Sequence, residues 1–249
     1  QVAFSHSDVL WPWSGFLAIF FRVNPRAANH HGVIEGMIRL TVTSPGAIGE
    51  KTKRQTSLEL PVRIQVIPTP PREKRLLWDQ YHQLNYPQGY FPRDIVPSLV
   101  DPFDWNADHL HTNFRQLFQH VLSLGYFVET LGESFNCFDA SNYGTLLLFD
   151  PEAEFLEDEV TKLRSDILDK GLSVIIAADW HNNDMIDGIK LLDKNTQKQW
   201  QPMTGGSNVP AINTLLDDFG ISFSSQVVQG SFRLEKSEGF YGSGSTLSR

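Results

Sequence analysis

The chain has 249 residues, an ordinary apolar share of 41% and a fairly high aromatic share of 12%, enough for one large or two modest domains with a real core. A net charge of -8 argues against a general nucleic-acid binder. The lone Cys137 excludes an internal disulfide and any CxxC zinc module, and the longest apolar run, residues 16–21, is far too short to span a bilayer.

From about 16 to 67 the pattern has period two. Ile34, Gly36, Ile38, Leu40 and Val42 alternate with Glu35, Met37, Arg39 and Thr41; Leu58, Leu60, Val62, Ile64 and Val66 alternate with Glu59, Pro61, Arg63 and Gln65. Alternation puts each set on one sheet face, apolar side inward. Strands are predicted at 16–23, 33–43 and 57–67, with SPGAIGEKTKRQTS as a hairpin loop and Pro61 marking an edge strand. Residues 1–67 therefore read as a partial β-sandwich-like domain whose earlier strands are missing. PTPPREK, residues 68–74, reads as a stiff Pro-rich linker.

After the linker, strands and helices alternate. RLLWD (75–79), YFVET (126–130), TLLLF (145–149) and LSVIIAA (172–178) are short strands; the last is the continuous apolar type buried on both faces of a parallel sheet. Leu110, Phe114, Leu117, Phe118, Val121 and Leu122 recur at helical spacing, with Gly125 at the C-terminal cap. Helices are also predicted over Glu152–Lys170, acidic at its front and closed by Gly171, and over Val209–Phe219, closed by Gly220. This alternation predicts a doubly wound, Rossmann-like α/β domain over 75–249. GSGSTLSR carries no clear structural signal, and the chain reads as a piece of something longer, its α/β domain incomplete at the C-terminus.

Several groups of residues invite a chemical reading. DPFDWNADHLH holds Asp101, Asp104, Asp108, His109 and His111. Histidines two apart diverge on a helix and share a face only in extended chain, and HExxH is absent, so Asp108 as a helix N-cap is the simpler account. Asp79, Asp150 and Asp179 each follow an apolar strand. At the carboxyl ends of a doubly wound sheet they form one rim suited to Mg2+ or a polar ligand, although Asp also ends strands for purely local reasons. TGGSN (204–208) puts Gly205 and Gly206 before a helix, where free N–H groups hold anions; Ser207 or Asn208 as N-cap, with Pro210 in the first turn, explains it without a ligand. It is neither Walker A nor GxGxxG. Cys137, flanked by Phe135 and Phe138 and lacking a nucleophile elbow, is expected to be a buried, inert thiol. No Gly-X-Ser-X-Gly elbow and no subtilase Gly-Thr-Ser occurs, so no nucleophilic triad can be assembled. YHQLNYPQGYFPRD (81–94) is an aromatic, proline-rich loop that suits either recognition or local packing.

Long unusual stretches carry a resemblance: IPTPPREKRLLWDQYHQLNYPQGYFPRD (67–94), DPFDWNADHLHTNFRQLFQHVLSLGYFVE (101–129), NCFDASNYGTLLLFD (136–150) and TGGSNVPAINTLL (204–216), with WPWSG at 11–15. Nearly the whole chain resembles the region after the catalytic domain in the site-1 protease family of subtilisin/kexin-like serine endopeptidases. The resemblance implies a parent that is membrane-anchored in the lumen of the Golgi apparatus or endoplasmic reticulum. Such enzymes cleave membrane-bound transcription factor precursors and so start regulated intramembrane proteolysis. It also implies that this chain lacks the triad, pro-segment, signal peptide and anchor. The expected fold is class I amidotransferase-like by analogy, which confers no activity.

The expected role is non-catalytic: support of folding, trafficking or substrate positioning. The protease domain of the same protein is the first partner and precursor substrates are further ones, with no nucleic acid, no membrane insertion and no cofactor. The alternatives are an independent ligand-binding module built on Asp79, Asp150, Asp179, Gly205 and Gly206, or a metal-dependent hydrolase using Asp79, Asp101, His109 and His111.

Overall fold

The computed structural model describes residues 2–9, 17–46, 48–49, 51–83, 109–111, 113–192, 197–201 and 207–248. The chain divides into two compact units, Gln1–Pro70 and Pro71–Arg249.

In the first unit, β1 (Val2–His6) pairs antiparallel with β2 (Leu17–Phe21). The strand β3 (Gly32–Ser44) pairs with β4 (Arg54–Val66) in an unbroken antiparallel register from Gly32↔Val66 to Ser44↔Arg54. The period-two sequence explains this hairpin. Ile34, Ile38 and Leu40 face Ile64, Leu60 and Leu58 on one side. The other side is polar, tied by Arg39 to Glu59 at 2.6 Å, Arg63 to Glu35 at 3.3 Å and Thr41 to Ser57 at 3.0 Å. Pro61, with no N–H to give, sits opposite Met37, and among the described residues β4 has no second neighbour. The strand β1 was not predicted. All five of its residues are exposed, so no buried face imposes a pattern on its sequence.

The second unit is built on a parallel sheet of β5 (Arg75–Asp79), β6 (Phe127–Leu131), β7 (Thr145–Phe149) and β8 (Ser173–Ala177), in spatial order β6-β5-β7-β8. Alternate residues go to opposite faces. Leu77, Leu146 and Leu148 pack with Leu163 of α2 (Glu157–Leu168) and Leu215 of α4 (Val209–Leu216). Leu76, Trp78, Leu147 and Phe149 pack with Leu110 and with Phe114, Phe118 and Val121 in and before α1 (Arg115–Ser123). Covering both faces is what makes the central strands β5 and β7 near-continuous apolar runs; each fully buried leucine contributes roughly 1.5–3 kcal/mol. The outer strands differ: Glu129 and Thr130 of β6 are exposed, and so are Ser173, Ile175 and Ala177 of β8, so LSVIIAA is not buried on both faces as its composition predicts. The Trp78 indole meets Phe114 and Phe149 edge-on, both at 5.0 Å between centroids.

Helix α1 ends in a Schellman cap: Gly125, at φ +77°, donates to the Leu122 carbonyl, and Tyr126 to that of Val121. Its start differs from expectation. Leu110 is buried, but the helix begins at Arg115, and Asp108, the expected cap, lies outside the described residues. Helix α2 starts at Glu157, not Glu152, because the N–H groups of Glu152 and Ala153 donate to the His82 carbonyl instead, at 2.8 and 3.0 Å. Helix α4 stops at Leu216, and one 3-10 turn, Asp217–Phe219, completes the expected span before Gly220 at φ +64°. The N-cap of α4 is Asn208, whose side chain accepts from the Ala211 N–H at 3.2 Å.

The remaining elements are a short helix, α3 (Asn183–Gly188), a two-residue pair of β9 (Leu191–Leu192) with β10 (Gln199–Trp200), and a long hairpin of β11 (Ser222–Leu234) with β12 (Ser237–Ser248). The stretch GSGSTLSR, without a signal in the sequence, thus forms most of β12. Asn213 anchors this hairpin to α4, donating to the Phe223 carbonyl and accepting its N–H at 2.9 and 2.7 Å. Phe232 lies over Gly239, where a Cβ would come within 2.5 Å of the ring. Among the described residues no helix is long and apolar enough to cross a membrane.

Candidate functional site

The strand-end aspartates occupy the carboxyl rim of adjacent strands β5, β7 and β8, but they fall into two clusters. Asp79 ends β5 with no exposed surface. One carboxylate oxygen accepts from the N–H groups of Tyr81 and His82 at 3.2 and 3.4 Å; the other meets His82 Nδ1 at 2.8 Å. Buried and engaged at both oxygens, Asp79 is unavailable to an incoming ion. The opposite ring nitrogen, Nε2, faces Glu159 Oε2 of α2 at 3.4 Å. Glu159 in turn accepts from Ser134 Oγ at 2.6 Å, from the Phe135 N–H at 3.0 Å and from the Leu156 N–H at 2.9 Å. His82 and Glu159 are as buried as Asp79. The imidazole packs against the stacked pair Phe135 and Phe155, at 4.6 and 4.5 Å between ring centres, with Tyr81 edge-on at 5.0 Å.

Electrostatics in this cluster favour charge. Burial is the largest influence on His82 and pulls its pKa down, yet Asp79 and Glu159 together outweigh it and leave the pKa above the ordinary value. Burial pushes Glu159 up, but its three hydrogen bonds and the His82 charge bring it below the usual carboxylate value.

The second cluster is Asp150, Asp179 and Ser207. Asp150 follows β7 in left-handed backbone, φ +48°. Its Oδ1 accepts from the Asp179 N–H at 2.7 Å and from Ser207 Oγ at 2.6 Å. Burial raises the Asp150 pKa against these two bonds. Asp179 is pushed up to about 6, first by burial and then by the Asp150 charge. The Asp150–Glu154 segment joins the clusters: the His82 carbonyl holds its amides, and Asn208 donates to the carbonyls of Pro151 and Glu152 at 2.8 and 3.3 Å. Gln83, also buried, donates from its amide to the Phe149 carbonyl.

The other sequence candidates do not join these clusters. Gly205, Gly206 and Asp101 lie outside the described residues. His109 and His111 sit in the turn before α1, their rings 5.2 Å apart, and His109 Nδ1 accepts the N–H of His111 at 3.0 Å. Burial, then the neighbouring His111, lowers the His109 pKa. Among the described residues no three His, Cys, Asp or Glu side chains converge to hold a metal. Cys137 corrects an expectation: it is exposed, not buried. In its 3-10 turn, Phe135 and Phe138 take the buried places. Its thiol pKa is raised, by desolvation first and then by Glu133, which opposes nucleophilicity.

Sequence reasoning singled out Asp79 but missed His82 and Glu159. The readable signal was Asp-x-x-His directly after a buried strand, where an aspartate accepts the amides that follow it. Nothing in the sequence tied Glu159, 77 residues on, to that turn.

Comparison with known proteins fixes the relationship. Residues 70–249 match the family model "MBTPS1, fourth GATase-like domain", and residues 1–69 match "MBTPS1, third Ig-like domain". The chain is 49% identical to the human membrane-bound transcription factor site-1 protease and 42% identical to the Arabidopsis thaliana subtilisin-like protease SBT6.1. Each alignment covers 100% of this chain and 24% of the relative, so the chain spans about a quarter of the length of the curated relatives it matches. The solved N-terminal domain mmIFT52 aligns with 70% of this chain and 68% of its own at 15% identity and a TM-score of 0.40, a likeness too loose to carry the fold. Matched over both of its units, the chain belongs to the site-1 protease family and corresponds to part of the region outside its catalytic domain.

Proposed function

We propose that this chain is a non-catalytic, Rossmann-like supporting module of a site-1-protease-like endopeptidase, serving the folding, trafficking or substrate positioning of the protease domain in the same protein. The observation that supports this reading is the saturation of the Asp79–His82–Glu159 cluster. Catalysis by a histidine needs a nucleophile or a substrate proton within hydrogen-bond reach of the ring. Here both ring nitrogens face carboxylates, and the nearby hydroxyl, Ser134 Oγ, donates to Glu159. The cluster is arranged to hold three segments together rather than to turn over a substrate. The activity of the parent on membrane-bound transcription factor precursors, and its residence in the lumen of the Golgi apparatus or endoplasmic reticulum, belong to the same proposal.

Two measurements test it. A fluorophosphonate serine probe should leave the purified chain unlabelled; stoichiometric labelling would refute the non-catalytic reading. Deleting residues 75–249 from the full-length protein should impair its secretion, its processing or its cleavage of precursors. Unchanged behaviour in all three would sink the supporting role.

A second reading rests on the Asp150–Asp179–Ser207 cluster, where Asp179 reaches solvent at one side while burial of its carboxyl and the Asp150 charge push its pKa up to about 6. In that reading the rim binds a polar ligand of the α/β unit. Isothermal titration with candidate ligands, repeated on Asp179→Asn, would separate it from a purely structural rim.

A further inference from the structure

The fold uses His82 as a latch between three segments of the second unit. The ring is pinned by β5 through Asp79 and by α2 through Glu159. The backbone carbonyl of the same residue holds the N–H groups of Glu152 and Ala153. Glu159 then carries the connection to the turn at 134–137 through Ser134 Oγ and the Phe135 N–H. A neutral imidazole carries one N–H and one lone pair. Placed between two carboxylates it would turn that lone pair onto one of them, inside a site shut from water. Only the imidazolium donates at both ends.

We propose that this geometry makes the 133–138 turn and the 152–160 segment an acid-tightened latch, closed when His82 is doubly protonated and loosened when it loses a proton. The groups around the ring bear this out. Asp79 and Tyr81 face it from the end of β5, Glu159 from α2, Phe155 from the segment before α2, and Phe135 from the 3-10 turn. On that turn Glu133 and Cys137 act on one another and Glu159 acts on Cys137, while Asp158 takes the Asn136 amide at 2.7 Å. The charges that act on the ring are those of Asp79 and Glu159, and both favour the cation.

The directions of the shifts set the pH window. His82 is raised above 6.5, so its contribution is complete below that value and is lost as pH rises through the folded-state pKa. Glu159 is lowered from 4.5, so its contribution is complete above that value and is lost as pH falls through the folded-state pKa. The latch is tightest between these two limits, in the mildly acidic range.

The experiment uses the whole chain. Long-range 15N–1H NMR should show both His82 ring nitrogens protonated at pH 6. Hydrogen-exchange protection, corrected for intrinsic rates, should fall for 133–138 and 152–160 between pH 6 and pH 8 by about tenfold for each unit by which the His82 pKa is raised. Protection of α4 should change less. The local pH dependence should vanish in His82→Gln. A singly protonated ring at pH 6, or protection of these segments that is flat with pH, overturns the proposal. The ring measurement stands even where His82→Gln fails to fold.

Discussion

Glu159→Ala is the sharpest perturbation of the second unit. The substitution removes the acceptor of three hydrogen bonds, from Ser134 Oγ, the Phe135 N–H and the Leu156 N–H, and takes one of two carboxylates away from His82. A hydrogen bond to a charged group contributes about 1.5–3 kcal/mol, but neighbouring terms do not simply add. Breaking a buried ion pair by deleting one partner costs roughly 3–5 kcal/mol. That range is the expectation, because Asp79 stays to neutralise the ring while the buried Phe135 amide and the part-buried Leu156 amide lose their acceptor. For a unit of this size each kcal/mol lowers Tm by about 2–4 °C, so a fall on the order of 10 °C is expected. Urea denaturation followed by tryptophan emission reads the loss directly, since Trp78 is fully buried between Phe114 and Phe149. Glu157→Ala, at an exposed position in the first turn of the same helix, serves as the control at about 0.3–1 kcal/mol. A loss below about 1 kcal/mol for Glu159→Ala, equal to its control, would refute the reasoning, because surface helix charges alone contribute that much.

Three other outcomes follow from particular contacts. Gly144→Ala would put a Cβ 2.9 Å from the Arg72 carbonyl oxygen and 3.0 Å from the Glu73 Cα; backbone cannot swing aside as a side chain can, so about 1–3 kcal/mol of stability should be lost in chemical denaturation, and an unchanged midpoint would contradict the close packing. Asp150→Asn should lower the Asp179 pKa from about 6, though not fully to 3.8, because burial ranks ahead of the Asp150 charge among its causes; a 13C carboxyl titration that shows no movement would deny the pairing. A raised carboxyl contributes stability that is present below its unfolded pKa and lost as pH rises through its folded one, so the contribution of Asp179 fades between 3.8 and about 6 and is gone by neutral pH. One thiol per chain should react with a disulfide reagent in the native state, slowly at neutral pH, because Cys137 is exposed while its pKa is raised; reaction only after unfolding would contradict the exposure.

The two central parallel strands were legible because burial on both faces leaves no polar residue in their interiors: TLLLF was placed to the residue, and RLLWD likewise. Boundaries failed where tertiary contacts compete with local preference. Glu152 has the composition of a helix start, but its amide is spent on a carbonyl 70 positions earlier in the chain. The β11–β12 hairpin was illegible for a different reason. Its alternation is broken by register shifts near Val227 and Gly230 and by Gly239, whose missing side chain is replaced by the Phe232 ring. Of the rim, the aspartates could be read because each ends an apolar run, whereas Glu159 shows only the face of an amphipathic helix. Long-range polar pairing leaves no period in a sequence, so the half of the cluster that faces β5 from α2 was invisible.

The two halves of the rim therefore differ in kind. Around Asp79 each charge is met: the carboxylate by two amides and an imidazole, the imidazole by two carboxylates, and Glu159 by a hydroxyl and two amides. Such a network fixes one arrangement of its segments, since any partial opening strands a charge out of water. Around Asp150 the sharing is incomplete. Two carboxyls lie close enough for one to raise the other, and Asp179 reaches solvent. A sealed half beside an open half suits the supporting role proposed above. The sealed half holds β5, α2 and the 134–137 turn to a common geometry, and the open half is the edge that the ligand-binding reading would use. On this argument, a partner contact at the rim should register first as a change in the titration of Asp179, while the His82 resonances stay where they are.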